Sequence, residues 1–398
     1  MKIFSLALLA AHFSETCSFV PHHHSRYYVY SSANVATSMA SDATIEEGDD
    51  SRRGFFKKLV GGALFTGIVA NGVAVQGPSP FIPVTDSLKD QLIVITGGNT
   101  GLGLESGKRL AAAGATIVLT SRSTIKGAKA VQSIQDYVME QNGKPNDNVY
   151  TLSLDLCDLE SVKAFPALLK NSDAFKNSQH IDVLLNNAGV MAVPDLEITK
   201  DGFEKTFQSN HLGHFALTAG LEPLMNSAGS RIVTVSSMAY LIAQEGLDMT
   251  NLNGEVEYKP WDAYGRSKLE NILFTKELQK RADAAGKKIT AVTLHPGAVR
   301  TDLARYIYGE DKYVSMQDAP SPSFTDVLKV LPAFYFTKNV ERGANSQIYL
   351  SAFQGENVGG EFFFNMEEQK LLPAALDMEK AKELWKVSEE MSGVKFNL

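Results

Sequence analysis

Leu92-Ile93-Val94-Ile95-Thr96-Gly97-Gly98-Asn99-Thr100-Gly101-Leu102-Gly103 runs an apolar stretch of strand length straight into a glycine-rich turn, and a helix-periodic segment begins near Leu104. Glycines let a backbone turn tightly and come close to a charged group, and the N-terminus of the following helix offers free N–H groups and the positive end of its dipole. In a strand–turn–helix context this arrangement suits the pyrophosphate of a dinucleotide. Gly97, Asn99, Thr100, Gly101, Leu102 and Gly103 are the residues expected around it, with Gly97, Gly101 and Gly103 spaced as G-x-x-x-G-x-G.

Outward from that turn, short β-branched runs alternate with longer helix-periodic ones, which implies βαβ units and a parallel sheet. Strands are expected at Leu92–Thr96, Thr116–Ser121, Val149–Leu154, Val183–Asn186, Arg231–Val235, Thr290–Leu294 and Glu361–Phe364. Helices fall between them, the first ended by Gly114 and the second by Gly143-Lys144-Pro145. The fold class is α/β: a single Rossmann-type, doubly wound parallel sheet of about seven strands with helices on both faces. No internal repeat is visible.

The chain has 398 residues, 44% hydrophobic and 21% charged, with a formal net charge of −7. That balance gives no reason to expect nucleic acid and directs attention to a small-molecule partner. Cys17 and Cys157 are the two cysteines, and Cys17 falls in the leader, so an internal disulfide is not expected in the mature chain. His180, His211, His214 and His295 lack the spacing of a paired metal site, and no metal is expected.

Two further features point to chemistry. The second strand ends in Ser121-Arg122, where an acidic residue would select an unphosphorylated ribose; a guanidinium suits a 2′-phosphate instead, so NADP(H) is expected in preference to NAD(H). Tyr264-Gly265-Arg266-Ser267-Lys268 puts a phenol and an ammonium one turn apart on one helical face. A fixed positive charge stabilises phenolate, and the spacing therefore predicts a Tyr whose pKa is drawn down toward neutrality for proton transfer.

Together these motifs resemble the short-chain dehydrogenase/reductase superfamily over about Asp90 to Val394. The resemblance implies a catalytic set of Asn210, Ser237, Tyr264 and Lys268. Ser237 would hydrogen-bond the substrate oxygen, Lys268 would also reach the nicotinamide ribose, and Asn210 would bend its helix and hold a relay water. It implies cofactor contacts at Asp155 and Leu156, at Asn187-Ala188-Gly189, and at the Pro296-Gly297 turn with Val299 and Thr301; His295 reads as a turn residue. Asp201-Gly202-Phe203-Glu204, the run Asn210-His211-Leu212-Gly213-His214-Phe215 and the late Glu383-Leu384-Trp385 segment are similar to the retinol-dehydrogenase-like and protochlorophyllide-reductase-like branch. Two departures weigh against the light-driven reductase: Asn187-Ala188-Gly189 stands where that family has Asn-Ala-Ala, and no Cys lies near the expected site. The branch implies an oxidoreductase interconverting a carbonyl and an alcohol. The apolar insertion Arg305–Tyr335 suits a lipophilic substrate, retinoid-, carotenoid- or lipid-like, and suits equally a cover over the core or a partner surface. A double-bond reductase of the protochlorophyllide type is the alternative chemistry. A dinucleotide-binding regulatory or scaffold protein is the alternative class, although such a protein has no physical need for the phenol.

The first ninety residues read as an address. Residues 1–50 begin with Lys2 and the apolar run Ile3–Ala11, too short to span a membrane and shaped like a secretory signal. Cys17-Ser18-Phe19-Val20-Pro21 resembles the Phe-centred cleavage motif of plastid leaders in algae with complex plastids, and Ser25–Ser41 resembles a transit peptide. Within 51–89, Ser51-Arg52-Arg53-Gly54-Phe55-Phe56-Lys57 and the Gly-rich apolar stretch Leu59–Val75 resemble a twin-arginine signal or a membrane anchor, followed by a linker with Pro78, Pro80 and Pro83. The expected destination of the catalytic domain, residues 90–398, is the thylakoid lumen or the lumen-facing thylakoid membrane of a plastid.

Overall fold

The computed structural model of the protein describes residues 77–299, 338–353, 355 and 358–398. The address read in residues 1–75, the insertion Arg305–Tyr335 and Thr301 lie outside the described residues. Among the described residues no helix is long and apolar enough to cross a membrane.

Seven strands run parallel in the order β3-β2-β1-β4-β5-β6-β7, and an eighth closes the edge. They are β1 Leu92–Ile95, β2 Thr116–Ser121, β3 Val149–Ser153, β4 Val183–Asn186, β5 Ser230–Val235, β6 Ile289–Leu294 and β7 Phe362–Phe364. All four residues of β1 are fully buried, as an unbroken apolar run must be when helices cover both faces of a sheet. The extra strand, β8 Glu367–Glu368, pairs antiparallel with β7. Sequence reasoning misses it because two exposed glutamates carry no strand pattern.

The helices are α1 Gly101–Ala112, α2 Thr124–Asn142, α3 Leu159–Lys170, α4 Asp173–Ser178, α5 Gly213–Leu221, α6 Pro260–Ala284, α7 Asn345–Ala352 and α8 Met378–Ser392. Side-chain caps fix several starts: Ser123 accepts from Lys126 N at α2, and Asp158 accepts from Glu160 N and Ser161 N at α3. Helix α1 begins at Gly101, earlier than the start near Leu104 that the sequence suggests. Helix α6 begins at Pro260, whose fixed φ and missing N–H suit the first helical position, so Tyr264 sits in its second turn. A single π-helical turn, Gln208–Leu212, precedes α5.

One sheet face packs on α3, α5, α6 and α8 around Phe215 and Trp385, whose rings meet edge to face at 5.1 Å. The other packs on α1, α2 and α7 around Leu110, Ile134 and Ile348. The chain winds outward through β1, β2 and β3, then returns to lay β4 beside β1. This reversal opens a cleft at the carboxyl ends of β1 and β4. The loops after β1 through β6 all leave from that edge, and with the first turn of α1 they carry the described residues of the expected cofactor set other than Tyr264 and Lys268, which stand on α6.

Candidate active site

At the end of β1, Thr96 ties the glycine-rich turn to the turn after β4. Its Oγ1 accepts from Asn187 N at 2.9 Å and Ala188 N at 3.0 Å, while Asn187 Nδ2 donates back to the Thr96 carbonyl at 2.7 Å. Gly103 fits beneath this crossing only because it has no side chain: a Cβ there would stand 2.6 Å from both Asn187 Nδ2 and the Gly97 carbonyl. No side chain caps the first turn of α1, so its N–H groups remain available to an anion. Gln347 of α7, which the sequence gives no reason to single out, buttresses the loop from behind by donating to Leu102 O at 3.0 Å and Ser106 Oγ at 2.7 Å. A glycine cradle beside an uncapped helix start fits a dinucleotide pyrophosphate, with Asn99, Thr100, Gly101, Leu102 and Gly103 around it.

The other expected cofactor residues follow the same edge. Arg122, after β2, is exposed and has no ion pair among the described residues. Asp155, after β3, accepts from Cys157 N at 2.9 Å, and Leu156 is 7% exposed. After β6, Pro296 and Gly297 turn the chain and Val299 forms a parallel bridge with Lys338, whose N–H donates to Ala298 O at 2.7 Å. His295 lies stacked against Phe364 at 4.1 Å between ring centroids, and burial pushes its pKa down to about 3. Lys338 is a further residue that sequence reasoning missed: its ammonium lies 4.4 Å over the Phe364 ring and donates to Asn365 Oδ1.

The reactive groups meet at the C-terminal ends of β4 and β5. Ser237 Oγ is hydrogen-bonded to the Tyr264 side chain and accepts from Ala239 N at 3.1 Å. Lys268 Nζ donates to the Val235 carbonyl at 3.2 Å and lies 5.5 Å from the centroid of the Tyr264 ring. Ser236, the neighbour of Ser237, faces away and donates to Lys268 O at 2.7 Å, fixing β5 to α6. Asn210, in the π turn, brackets Val190: its Oδ1 accepts from Val190 N at 2.8 Å, and its Nδ2 donates to Val190 O at 2.9 Å and Ser267 Oγ at 3.0 Å. Gly189 lies between the two sets, since a Cβ on it would stand 3.1 Å from Asn210 Oδ1 and 3.6 Å from Lys268 Nζ.

The electrostatics differ from the sequence expectation. Burial pushes the Tyr264 phenol up to about 12, opposed by its hydrogen bond with Ser237, and burial pushes Lys268 down to about 8. Loss of solvation is the largest influence on the phenol and acts against the lowering that the i, i+4 spacing suggests. Tyr264 is held as a neutral phenol, an acid with its proton in place. Among the described residues no group of three or more His, Cys, Asp or Glu side chains is arranged to hold a metal ion.

Residues 91–312 match the short chain dehydrogenase family. The chain is 37% identical over 308 residues to retinol dehydrogenase 14 of Mus musculus, covering 76% of this chain and 86% of that protein. It is 33% identical over 318 residues to polyprenol dehydrogenase of Homo sapiens, covering 78% and 88%. Among solved structures, an uncharacterised protein from Mycobacterium paratuberculosis is similar with a TM-score of 0.58 and 33% identity, covering 79% of this chain and 100% of that one.

Proposed function

The chain belongs to the short-chain dehydrogenase family, on its retinol-dehydrogenase-like branch, and from that premise we propose that it interconverts a carbonyl and an alcohol on a lipophilic substrate, with NADP(H) as cofactor. The observation that carries the reading is the convergence of Ser237, Tyr264 and Lys268 beside the glycine cradle, with the phenol protonated. The residues of the glycine turn would hold the pyrophosphate of the dinucleotide, whose reduced nicotinamide would supply the hydride. In the reducing direction Tyr264 gives its proton to the carbonyl oxygen while the Ser237 hydroxyl holds that same oxygen. Lys268, beneath the ring, stabilises the phenolate that remains. The names of the relatives, retinol and polyprenol dehydrogenases, support a long apolar substrate. Arg122, exposed at the end of β2 and without an ion pair among the described residues, supports recognition of a 2′-phosphate.

The test is to follow cofactor oxidation with NADPH and with NADH across all-trans-retinaldehyde and other lipophilic aldehydes and ketones. Turnover that vanishes in Tyr264→Phe while NADPH binding persists supports the reading. Binding without turnover on any carbonyl overturns it. An Arg122→Glu variant is expected to lose the preference for NADPH over NADH; an unchanged preference would remove Arg122 from the cofactor site. The plastid address belongs to the same proposal, and a fluorescent protein fused after residue 89 that accumulates in the cytosol counts against it.

A further inference from the structure

His214 lies at the centre of the site although no reaction step uses it. The ring is 1% exposed and hydrogen-bonded at both nitrogens: Nδ1 lies 3.0 Å from the Asn210 carbonyl and Nε2 lies 2.9 Å from Thr96 Oγ1. A carbonyl only accepts, so Nδ1 carries the hydrogen and Nε2 carries the lone pair. Thr96 must then donate its hydroxyl hydrogen to Nε2 rather than to the more distant Leu185 carbonyl at 3.4 Å. That choice leaves the Thr96 oxygen lone pairs for the N–H groups of Asn187 and Ala188. A second hydrogen on the ring would face the Thr96 oxygen and break this pattern. Burial, aided by the nearby Lys268 ammonium, opposes it and pushes the His214 pKa down to about 4.

We propose that His214 is a positioning residue, locked as the neutral Nδ1–H tautomer, that joins two halves of the site. Through Thr96 it holds the β1 and β4 turns that form the floor of the cofactor cleft. Through the Asn210 carbonyl it holds the π turn, whose amide brackets Val190 and reaches Ser267 on the catalytic helix. The proposal rests on the functional reading above, but its structural part stands without turnover.

The test has two arms. In the full chain labelled with 15N at histidine, the signals that disappear in His214→Gln are expected to report the Nδ1–H tautomer and not to titrate between pH 5.5 and 9. An Nε2–H tautomer, or titration in that range, overturns the proposal whether or not the protein is an oxidoreductase. The second arm separates the two bonds, with all-trans-retinaldehyde as substrate. In His214→Gln the amide oxygen can replace Nε2 toward Thr96 but leaves Asn210 unheld. In His214→Asn the shorter amide can donate to Asn210 O but leaves Thr96 unheld. Losing one buried hydrogen bond corresponds to about a tenfold effect. The Gln variant is expected to lose that factor in kcat at unchanged NADPH affinity, and the Asn variant to lose it in NADPH affinity at unchanged kcat. A merely structural role would lower the melting temperature of both without this split, and that result would overturn the proposal. Should the Gln variant fail to fold, the Asn variant provides the assignment in the first arm.

Discussion

Asn210 and Val190 exchange two hydrogen bonds, the amide oxygen taking the Val190 N–H at 2.8 Å and the amide nitrogen giving to the Val190 carbonyl at 2.9 Å. This side chain acts as one more strand neighbour for the segment that leaves β4 and passes the reactive groups. Asn210 itself is fully buried, so neither Val190 group can turn to water if the amide is lost. Asn210→Leu is therefore expected to cost about 1–3 kcal/mol per unsatisfied group, a shift that urea denaturation at neutral pH would read directly. Asn210→Asp keeps the acceptor for Val190 N but replaces the donor by a carboxylate oxygen that faces the Val190 carbonyl, acceptor against acceptor, and it should be the worse of the two at pH 7 and the milder at low pH.

Gly103 and Gly143 separate two reasons for having no side chain. A Cβ on Gly103 would press against Asn187 Nδ2 and the Gly97 carbonyl, both fixed by the loop, whereas a Cβ on Gly143 meets nothing within 4 Å and suffers only from its φ of +68°. Gly103→Ala should abolish dinucleotide binding, measured by quenching of protein fluorescence on titration with NADPH. Gly143→Ala should lower stability by about 1 kcal/mol and leave binding unchanged. Equal effects on binding would contradict the assignment of the first loop to the cofactor.

The parallel sheet and most of the site were legible in the sequence, because both rest on local signals. An unbroken apolar run such as Leu92–Ile95 is what a strand buried on both faces requires, and Tyr264 and Lys268 need only one helical turn to meet. What escaped depends on distant partners. His214 shares a motif with Asn210, and its four-residue separation brings it to the Asn210 carbonyl within one helical segment. Nothing local foretold Thr96, 118 residues away. Gln347 meets Leu102 across 245 residues, and Lys338 meets Asn365 across 27 residues that no periodicity links. The Tyr264 pKa was read with the wrong sign for the same reason, since spacing reports the ammonium beside it but not the solvent removed by the fold.

Two buried groups on α6 should give opposite dependences on pH. Burial raises Glu270 to about 8, with Arg266 opposing the rise and Glu204 adding to it, and neither carboxyl oxygen has a hydrogen-bond partner among the described residues. The folded chain therefore holds a proton that the unfolded chain releases above the ordinary carboxylate pKa. The resulting stability is complete below that value and is lost as pH rises to about 8. Glu270→Gln should raise the urea midpoint more at pH 8.5 than at pH 5. Lys268 is lowered to about 8 by burial, so its cost to the fold is complete below that pH and disappears as pH climbs toward the ordinary lysine value. Lys268→Met should raise the midpoint at pH 7 while removing turnover. A destabilised Met variant would mean that the ammonium's bond to Val235 O outweighs its lost solvation.

The segment before β1 behaves as part of the domain rather than as a linker. Phe81 N donates to Asn345 Oδ1 at 2.8 Å, and the Phe81 carbonyl accepts from Arg109 Nη1 at 2.9 Å. Asn345 Nδ2 donates in turn to the Ser79 carbonyl at 2.8 Å, and the Phe81 ring meets Tyr349 edge to face at 5.5 Å. Leu88 is 1% exposed, and its N–H donates to the Ala113 carbonyl at 3.0 Å. A chain beginning at Asp90 loses all of these, including one of the partners of the Arg109 guanidinium, a residue that is itself 1% exposed. Burial of Leu88 alone is worth about 1.5–3 kcal/mol, and the hydrogen bonds add about 1 kcal/mol each. Compared with a chain beginning at Gly77, it should unfold at markedly lower urea concentration and bind NADPH less tightly, because Arg109 and Asn345 lie on the two helices that support the glycine-rich loop. If both chains melt together, the contacts of Pro78 to Leu88 contribute nothing beyond their own order, and the domain begins at β1.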